Sequence, residues 1–313
     1  MKVKIYILSR DRPIYLYHAI ESAISQNVGD INFEVVVSDN SVGNSVYTMI
    51  CDVYGAHRAF KYIKRTPSLL GEQHIKLVID EAESDSDFYT IFHDDDVLTN
   101  NYVAQCTDIL KNNLKISAVA CNAFLIDRFG KKIGALAFKN SKVDTIISNK
   151  REFLTFYLPF SGGSAPFPSY MYRSGRFNVD SSIFSAAGKF SDVIFLSSKL
   201  DFGHIFWLGK PLISYRVHDQ NDSGYEDIIS RKKLVNFMIS CGLNKKSLKI
   251  IAYRILYIRN RINQKNRSAQ FMNKLSSSNN FLKIFYINLL CNFPLQYYFL
   301  NKLKERLVGK ICK

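Results

Sequence analysis

Three adjacent aspartates, Asp94, Asp95 and Asp96, follow the apolar run Phe88-Tyr89-Thr90-Ile91-Phe92-His93. Neighbouring carboxylates repel one another and resist loss of water, so a chain rarely sets three of them beside a buried strand. A divalent cation removes that cost, and oxygen ligands suit Mg²⁺ or Mn²⁺. The plainer reading is a solvated acidic turn. A strand that ends in carboxylates also carries them to the carboxyl edge of a sheet, where open α/β folds bind their ligands. Asp39 stands in the same relation to the run Phe33-Glu34-Val35-Val36-Val37. If both runs are strands of one parallel sheet, all four acids line one edge. Asp39 could then accept hydrogen bonds from a ribose or a base; otherwise it is an Asx turn.

The elements that would position these acids alternate. Val3 to Leu8 reads as a buried strand, and Ile14 to Ser25, just after Pro13, as an amphipathic helix. A strand at 33–37 is followed by a helix over Ser45 to Tyr54 and a short strand at 60–63. A helix from Gly71 to about Ala82 precedes the strand at 88–92, and a helix over 101–112 precedes one at 116–121. Such alternation predicts a mainly parallel sheet with helices on both faces, an α/β fold. Residues 121–225 are more mixed. They hold the Gly/Pro-rich loop Ser161 to Pro168, a helix around Val193 to Phe202, and an apolar run with Trp207 that suits core packing. Beyond Asp227 only helical patterns are found.

Composition narrows the possibilities. Of 313 residues 47% are apolar, enough for a sizeable core. The six cysteines have neither CxxC nor metal-ligand spacing, which argues against a disulfide framework or a zinc site. No apolar stretch of signal-peptide length precedes the first strand, so secretion is not expected. The net charge of +15 lies wholly in residues 226–313, which hold 18 Lys or Arg against three acids. Such asymmetry points to a polyanionic partner for that part. Residues 247–261 read as a basic helix with an aromatic and aliphatic face. Residues 281–300 are more apolar but carry Lys283, Asn288, Asn292 and Pro294, a poor spanning helix. Lying in the interface of an anionic membrane fits these segments better. A helical appendage packed on the catalytic domain is the alternative. No nucleic-acid motif is found, and nucleic acid is not the expected partner.

Ile7-Leu8-Ser9-Arg10-Asp11-Arg12-Pro13, Ala19 to Gln26 and Val35 to Ser41 together resemble the opening of family 2 glycosyltransferases of the GT-A fold. His93-Asp94-Asp95-Asp96 resembles that family's DxD signature, and Gly71 the glycine opening the helix before it. Gly188-Lys189-Phe190-Ser191-Asp192 resembles the segment carrying the catalytic base. Pro211 to Ser223, with Tyr215-Arg216-Val217-His218, resembles the family's Tyr-Arg-x-His ending. The likeness spans residues 3–225. It implies a GT-A domain over 1–225 and a basic helical extension over 226–313.

The resemblance further implies an inverting, metal-dependent transfer from a nucleotide-diphosphate sugar, a UDP-sugar above all. Asp192 would be the base. Ser9, Arg10, Asp11, Asp39, Asp94, Arg216 and His218 would contact the nucleotide, and Asp95, Asp96 and His218 would hold Mn²⁺ or Mg²⁺. With the basic tail it implies a lipid-diphosphate-linked saccharide acceptor, as in O-antigen or capsule synthesis. The enzyme would then be cytoplasmic and peripheral to the inner face of the membrane. The sequence departs from the family pattern at His93, where an acid is usual, so the signature could equally be Asp94-x-Asp96. It departs again at Ser191, where a Glu usually precedes the Asp. The rival readings are a sugar-phosphate nucleotidyltransferase, although Ser9 to Pro13 lacks the glycines of a phosphate loop, and a non-catalytic binding protein of the same fold.

Overall fold

The computed structural model describes residues 1–55, 59–138, 143–158, 163–175, 188–218 and 228–244. The chain divides into two compact units. One comprises Met1–Lys150 with Gly162–Asn221, the other Arg151–Ser161 with Asp222–Lys313.

The first unit is built on one ten-stranded sheet. Its strands are β1 (Lys2–Ser9), β2 (Asn32–Asp39), β3 (Lys61–Lys64), β4 (Phe88–His93), β5 (Val97–Leu98), β6 (Ile116–Ile126), β7 (Lys132–Leu136), β8 (Thr145–Ile147), β9 (Met171–Arg173) and β10 (His204–Arg216). Their order is β3-β2-β1-β4-β9-β6-β10-β5, with β7 on β6 and β8 on β10. The first four run parallel. Short β9 is antiparallel to both β4 and β6 and so joins this half to the parallel β6–β10 pair. The alternation expected from the sequence is therefore present, with antiparallel strands added in the second half.

Period-two burial explains the layers. Val3, Ile5 and Ile7 of β1, with Val35 and Val37 of β2, form a core with Leu16, Ala19, Ile20 and Ala23 of α1 (Pro13–Ile24). Val46 and Ile50 of α2 (Ser45–Tyr54) and Val103, Cys106 and Leu110 of α4 (Tyr102–Asn112) complete it. Proline at the first turn of α1 costs no hydrogen bond, since that turn has no acceptor for its missing N–H. Intervening Lys4 reaches Asp85 at the end of α3 (Gly71–Asp85), on the opposite face.

On that face the ammonium of Lys199, fully buried, meets Glu83 of α3 at 2.6 Å. The rings of Tyr89, Tyr172 and Phe195 surround it at 5.4, 5.6 and 5.4 Å. Tyr89 donates its hydroxyl to the same carboxylate at 2.7 Å. Burial holds the Lys199 pKa below its ordinary value against the pull of Glu83. This pair ties α3, β4 and β9 to the end of α6 (Ser191–Ser198), the helix that carries Asp192. The helix expected around 193–202 is thus present as α6 plus a 3₁₀ turn at Lys199–Asp201. Trp207 lies in the core, its Nε1 donating to the Tyr170 hydroxyl at 2.8 Å.

In the second unit α5 (Lys150–Thr155), which begins at the last residue of the first unit, leads to a Phe153–Tyr157 ring contact. Helix α7 (Ile228–Ser240) buries Leu234 and Met238 and stops at Gly242, whose φ of +89° suits the left-handed turn after a helix. No helix among the described residues is long and apolar enough to cross a membrane. The basic segments 247–261 and 281–300 lie outside the described residues.

Removing one partner of a buried pair strands the other's charge, at about 3–5 kcal/mol. Lys199→Ala should lower unfolding free energy by that amount in urea titrations followed by circular dichroism. Lys199→Met combined with Glu83→Gln should recover most of it.

Candidate functional site

The site forms where β2, β1 and β4 end side by side. Parallel register places Ser9 opposite Asp39 and Leu8 opposite His93. The Asn40 N–H donates to the Ser9 carbonyl at 2.9 Å, and the Asp94 N–H to the Leu8 carbonyl at 3.2 Å. The loop after β1 therefore runs between the two acidic turns. Within it Asp11 has φ +54°, a left-handed backbone that Asp adopts more readily than most residues. That turn points its N–H at the Ser41 hydroxyl, 2.7 Å away.

Asp39 is fully buried. One carboxylate oxygen accepts from the Ser41 N–H at 2.9 Å, the other from the Tyr62 hydroxyl at 2.7 Å and Lys64 at 3.1 Å. Burial alone would raise its pKa, but these donors outweigh it and hold the pKa below the ordinary carboxylate value. Tyr62 and Lys64 come from β3, paired one strand further out.

The three central carboxylates are buried and differently partnered. Asp94 meets Arg12 Nη2 at 2.7 Å and accepts from the Arg10 N–H at 3.1 Å. Burial, only partly opposed by Arg12, pushes it up to about 7. One oxygen of Asp95 takes both Arg12 Nη1 at 2.7 Å and His218 Nε2 at 2.9 Å. Burial works against its ionisation, but His93, Arg12 and His218 outweigh it and keep its pKa low. Asp96 accepts from the Arg216 N–H at 2.8 Å through one oxygen. Its other oxygen is buried without a hydrogen-bond partner. Burial and then the neighbouring Asp95 push its pKa well up.

His93 Nδ1 lies 4.0 Å from that orphaned oxygen. His93, Asp95 and Asp96 bring ligand atoms within 4.8 Å of one another, close enough to hold one cation. An imidazole nitrogen with two carboxylates suits Mn²⁺, and an unpartnered buried carboxylate oxygen is what a metal would satisfy. The residues thus fit a divalent ion. His93 is not among the ligands expected from the sequence. His218, which is among them, is hydrogen-bonded to Asp95, with its ring 5.3 Å from that of Tyr15.

Arg216 is buried. Its Nε donates to the Asp95 carbonyl at 2.7 Å and its Nη1 to the Asp127 and Arg128 carbonyls at 3.1 and 3.3 Å. Its guanidinium also lies 4.8 Å from the Tyr15 ring centre. The structure thus places it behind the acidic turn, holding main chain.

Asp192 lies in the first turn of α6, half-buried, and accepts from the Val193 N–H at 2.8 Å. Burial raises its pKa to about 6 despite that bond and the charge of Lys189. A ring series links its helix to the acids: His93 to Phe167 at 5.9 Å, and Phe167 to Phe195 at 6.3 Å. Ser9, Arg10, Asp11, Asp39, Asp94–Asp96, Arg216 and His218 are gathered at one sheet edge, with Asp192 reached through these rings. Sequence reasoning missed Arg12, Tyr15, Tyr62 and Lys64. Arg12 had a signal, because three adjacent acids require a cation from somewhere. Lys64 had a weaker one, as a charge at the end of the strand neighbouring Asp39.

The mainly parallel sheet flanked by helices, with its added antiparallel strands, matches the GT-A fold. The solved structures that share it include S. aureus TarS. TarS 1–349 in complex with UDP-GlcNAc aligns with TM-score 0.57 and 14% identity, over 87% of this chain and 79% of that one. Its UDP complex aligns with TM-score 0.54 and 15% identity over 85% and 74%. TarS 1–349 alone gives TM-score 0.53 and 13% identity over 85% and 74%. At such identities the likeness is one of fold. No family model matches the sequence, and no curated protein matches it.

Arg12→Met should strand Asp94 and Asp95. Thermal unfolding in EDTA should then show a loss of about 3–5 kcal/mol, with partial recovery on adding Mn²⁺. Asp39, with its pKa below the ordinary value, stabilises the fold fully above about pH 4 and loses that contribution as pH falls through its own lower value. Asp39→Asn should therefore cost about 1–3 kcal/mol at pH 7 and flatten the acid limb of a stability–pH curve.

Proposed function

We propose that this chain is an inverting glycosyltransferase that moves a sugar from a UDP-sugar to a hydroxyl of a lipid-diphosphate-linked saccharide. One observation carries the reading. On a GT-A fold, Asp39 and the Asp94–Asp96 cluster close the ends of the two parallel strands that flank β1, with the β1 loop between them. A nucleoside, in this reading, lies against Asp39 and its diphosphate against the cluster. TarS, of the same fold, is known with UDP and UDP-GlcNAc bound.

In this reading Asp39 accepts hydrogen bonds from the nucleoside, and Ser9, Arg10 and Asp11 line the passage to the diphosphate. Arg12 pairs with Asp94 and Asp95 and helps keep Asp95 ionised. His93, Asp95 and Asp96 would hold Mn²⁺ or Mg²⁺, which supplies Lewis-acid neutralisation of the leaving diphosphate. The acceptor hydroxyl attacks the anomeric carbon as its proton passes to the Asp192 carboxylate. The bond to the diphosphate oxygen breaks, and that oxygen keeps the electron pair. One displacement inverts configuration. A carboxylate tuned to about 6 is ionised at neutral pH yet basic enough to share a proton in the transition state. His218 keeps Asp95 oriented, and Arg216 fixes the backbone of the acidic turn. The division into a GT-A domain over 1–225 and a basic extension over 226–313 belongs to this proposal, as does assembly of a surface polysaccharide at a membrane. The charge asymmetry of the sequence supports both.

The test is UDP release from a panel of UDP-sugars, with and without EDTA, given a lipid-diphosphate sugar as acceptor. Asp192→Asn should reduce kcat by about 10²–10⁴-fold while UDP affinity, measured by calorimetry, is kept. The wild-type rate should fall below about pH 6 as Asp192 takes up a proton. Full transfer by Asp192→Asn would remove it as the base. Absence of UDP binding by the wild type would remove the reading itself.

A further inference from the structure

Between β6 and β7 the chain turns through Asp127-Arg128-Phe129-Gly130-Lys131-Lys132-Ile133. The ring of Phe129 is 78% exposed and Ile133 is 49% exposed. Arg128, Lys131 and Lys132 are all exposed as well. Asp127, the single acid here, has its Oδ1 occupied by the N–H groups of Phe129 and Lys131, each at 2.9 Å. The turn is closed by the Asp127 N–H on the Lys131 carbonyl at 2.8 Å and the Gly130 N–H on the Asp127 carbonyl at 3.0 Å. Gly130 supplies the required φ of +86°. Arg216 braces it from beneath through the Asp127 and Arg128 carbonyls.

These bonds fix the main chain of the turn and with it the position of the Phe129 Cα, and the Arg128 guanidinium lies 4.6 Å from the centre of the exposed ring. Beside it opens a cleft of about 720 Å³, lined by Ile14 and His18 of α1 together with Arg128, Phe129, Lys132 and Arg216. Ile14 is 74% exposed. Apolar side chains from two elements are thus set beside three cations, Arg128, Lys131 and Lys132, against the single carboxylate of Asp127 in the turn. Exposed apolar side chains grouped with cations around one cleft suit a contact site.

We propose that this turn, with the adjoining face of α1, docks on a membrane surface rich in anionic phospholipid. Phe129, Ile133 and Ile14 enter the boundary between headgroups and acyl chains, and Arg128, Lys131 and Lys132 meet lipid phosphates. A single-stranded nucleic acid could stack on Phe129, but the aliphatic Ile14 and Ile133 offer it no ring face. The surface belongs to the described first unit and uses none of residues 226–313. It does not depend on the proposed sugar transfer. It has a consequence for the acidic site, however. Arg216, which braces the turn, also donates its N–H to Asp96 and its Nε to the Asp95 carbonyl. Docking would therefore hold the carboxylates close to the headgroup layer.

The experiment uses the full chain carrying Phe129→Trp, with the buried Trp207 as a constant background. Vesicles of mixed phosphatidylglycerol and phosphatidylcholine should shift the new indole emission to the blue, and brominated acyl chains should quench it. Pure phosphatidylcholine should do neither. Adding Arg128→Gln, Lys131→Gln and Lys132→Gln should raise the lipid concentration for half-quenching on the order of 100-fold, at roughly fivefold per cation. Circular dichroism of each variant checks that it is folded. Protein that sediments with anionic vesicles while the indole at 129 stays unquenched would overturn the proposal, since another surface would then be binding. So would failure to bind the vesicles, or an indole that responds to an RNA oligonucleotide and not to lipid.

Discussion

Three carboxylates at the end of one buried strand set the terms for the rest of the first unit. None can be left alone in a dry environment, and no one cation can reach all three. The chain divides the task. Arg12 bridges Asp94 and Asp95, His218 shares the Arg12-bound oxygen of Asp95, and the Arg216 N–H takes one oxygen of Asp96. Each partner imposes a structural demand. Arg12 must sit at the start of α1, so the β1 loop has to lie against the acidic turn after β4. Arg216 and His218 must arrive from the far end of a 13-residue strand, β10. The short β5 pairs antiparallel with β10 and holds the acidic turn against it.

The change of strand direction follows from the same need. A purely parallel sheet would deliver only strand ends and loops to the acidic edge. β9 runs antiparallel between β4 and β6, and the loop before it places Phe167 against His93. Behind them, the buried pair of Lys199 and Glu83 fixes α6 to α3. Its aromatic surround softens the cost of burying an ammonium, because ring faces carry partial negative charge. The helix that carries Asp192 is thus anchored at its far end, which leaves the position of the carboxylate at its first turn defined by packing.

What the sequence made legible is what local chemistry dictates. Apolar alternation gave β1, β2 and β4, and Pro13 gave the start of α1, to within a residue or two. Acids at strand ends gave the position of the edge. β5, β8 and β9 were not legible, because two- and three-residue strands have no periodicity of their own and exist only through their partners. Arg216 shows the same limit in a side chain. Its type suggested a phosphate contact, and its pattern gave no sign of the carbonyls of Asp95, Asp127 and Arg128 that its guanidinium holds. Tyr62 and Lys64 serve Asp39 from a strand whose register only the folded sheet reveals.

His93 is the residue at which sequence pattern and structure bear most closely on one another. A carboxylate in its place would add a fourth acid to a cluster whose carboxylates already repel one another. Arg12 has both terminal nitrogens engaged, and Arg216 meets Asp96 only through its main chain. An imidazole keeps a ligand atom near the orphaned oxygen of Asp96 without adding to the repulsion. It also offers a flat ring that Phe167 can cover, which a carboxylate could not accept without losing water. The substitution therefore lets one side chain face the acids on one side and the aromatic wall on the other. Through Phe167 and Phe195 that wall continues to the helix of Asp192. The edge that would hold a diphosphate and the helix that would hold a base are thereby packed against a common residue.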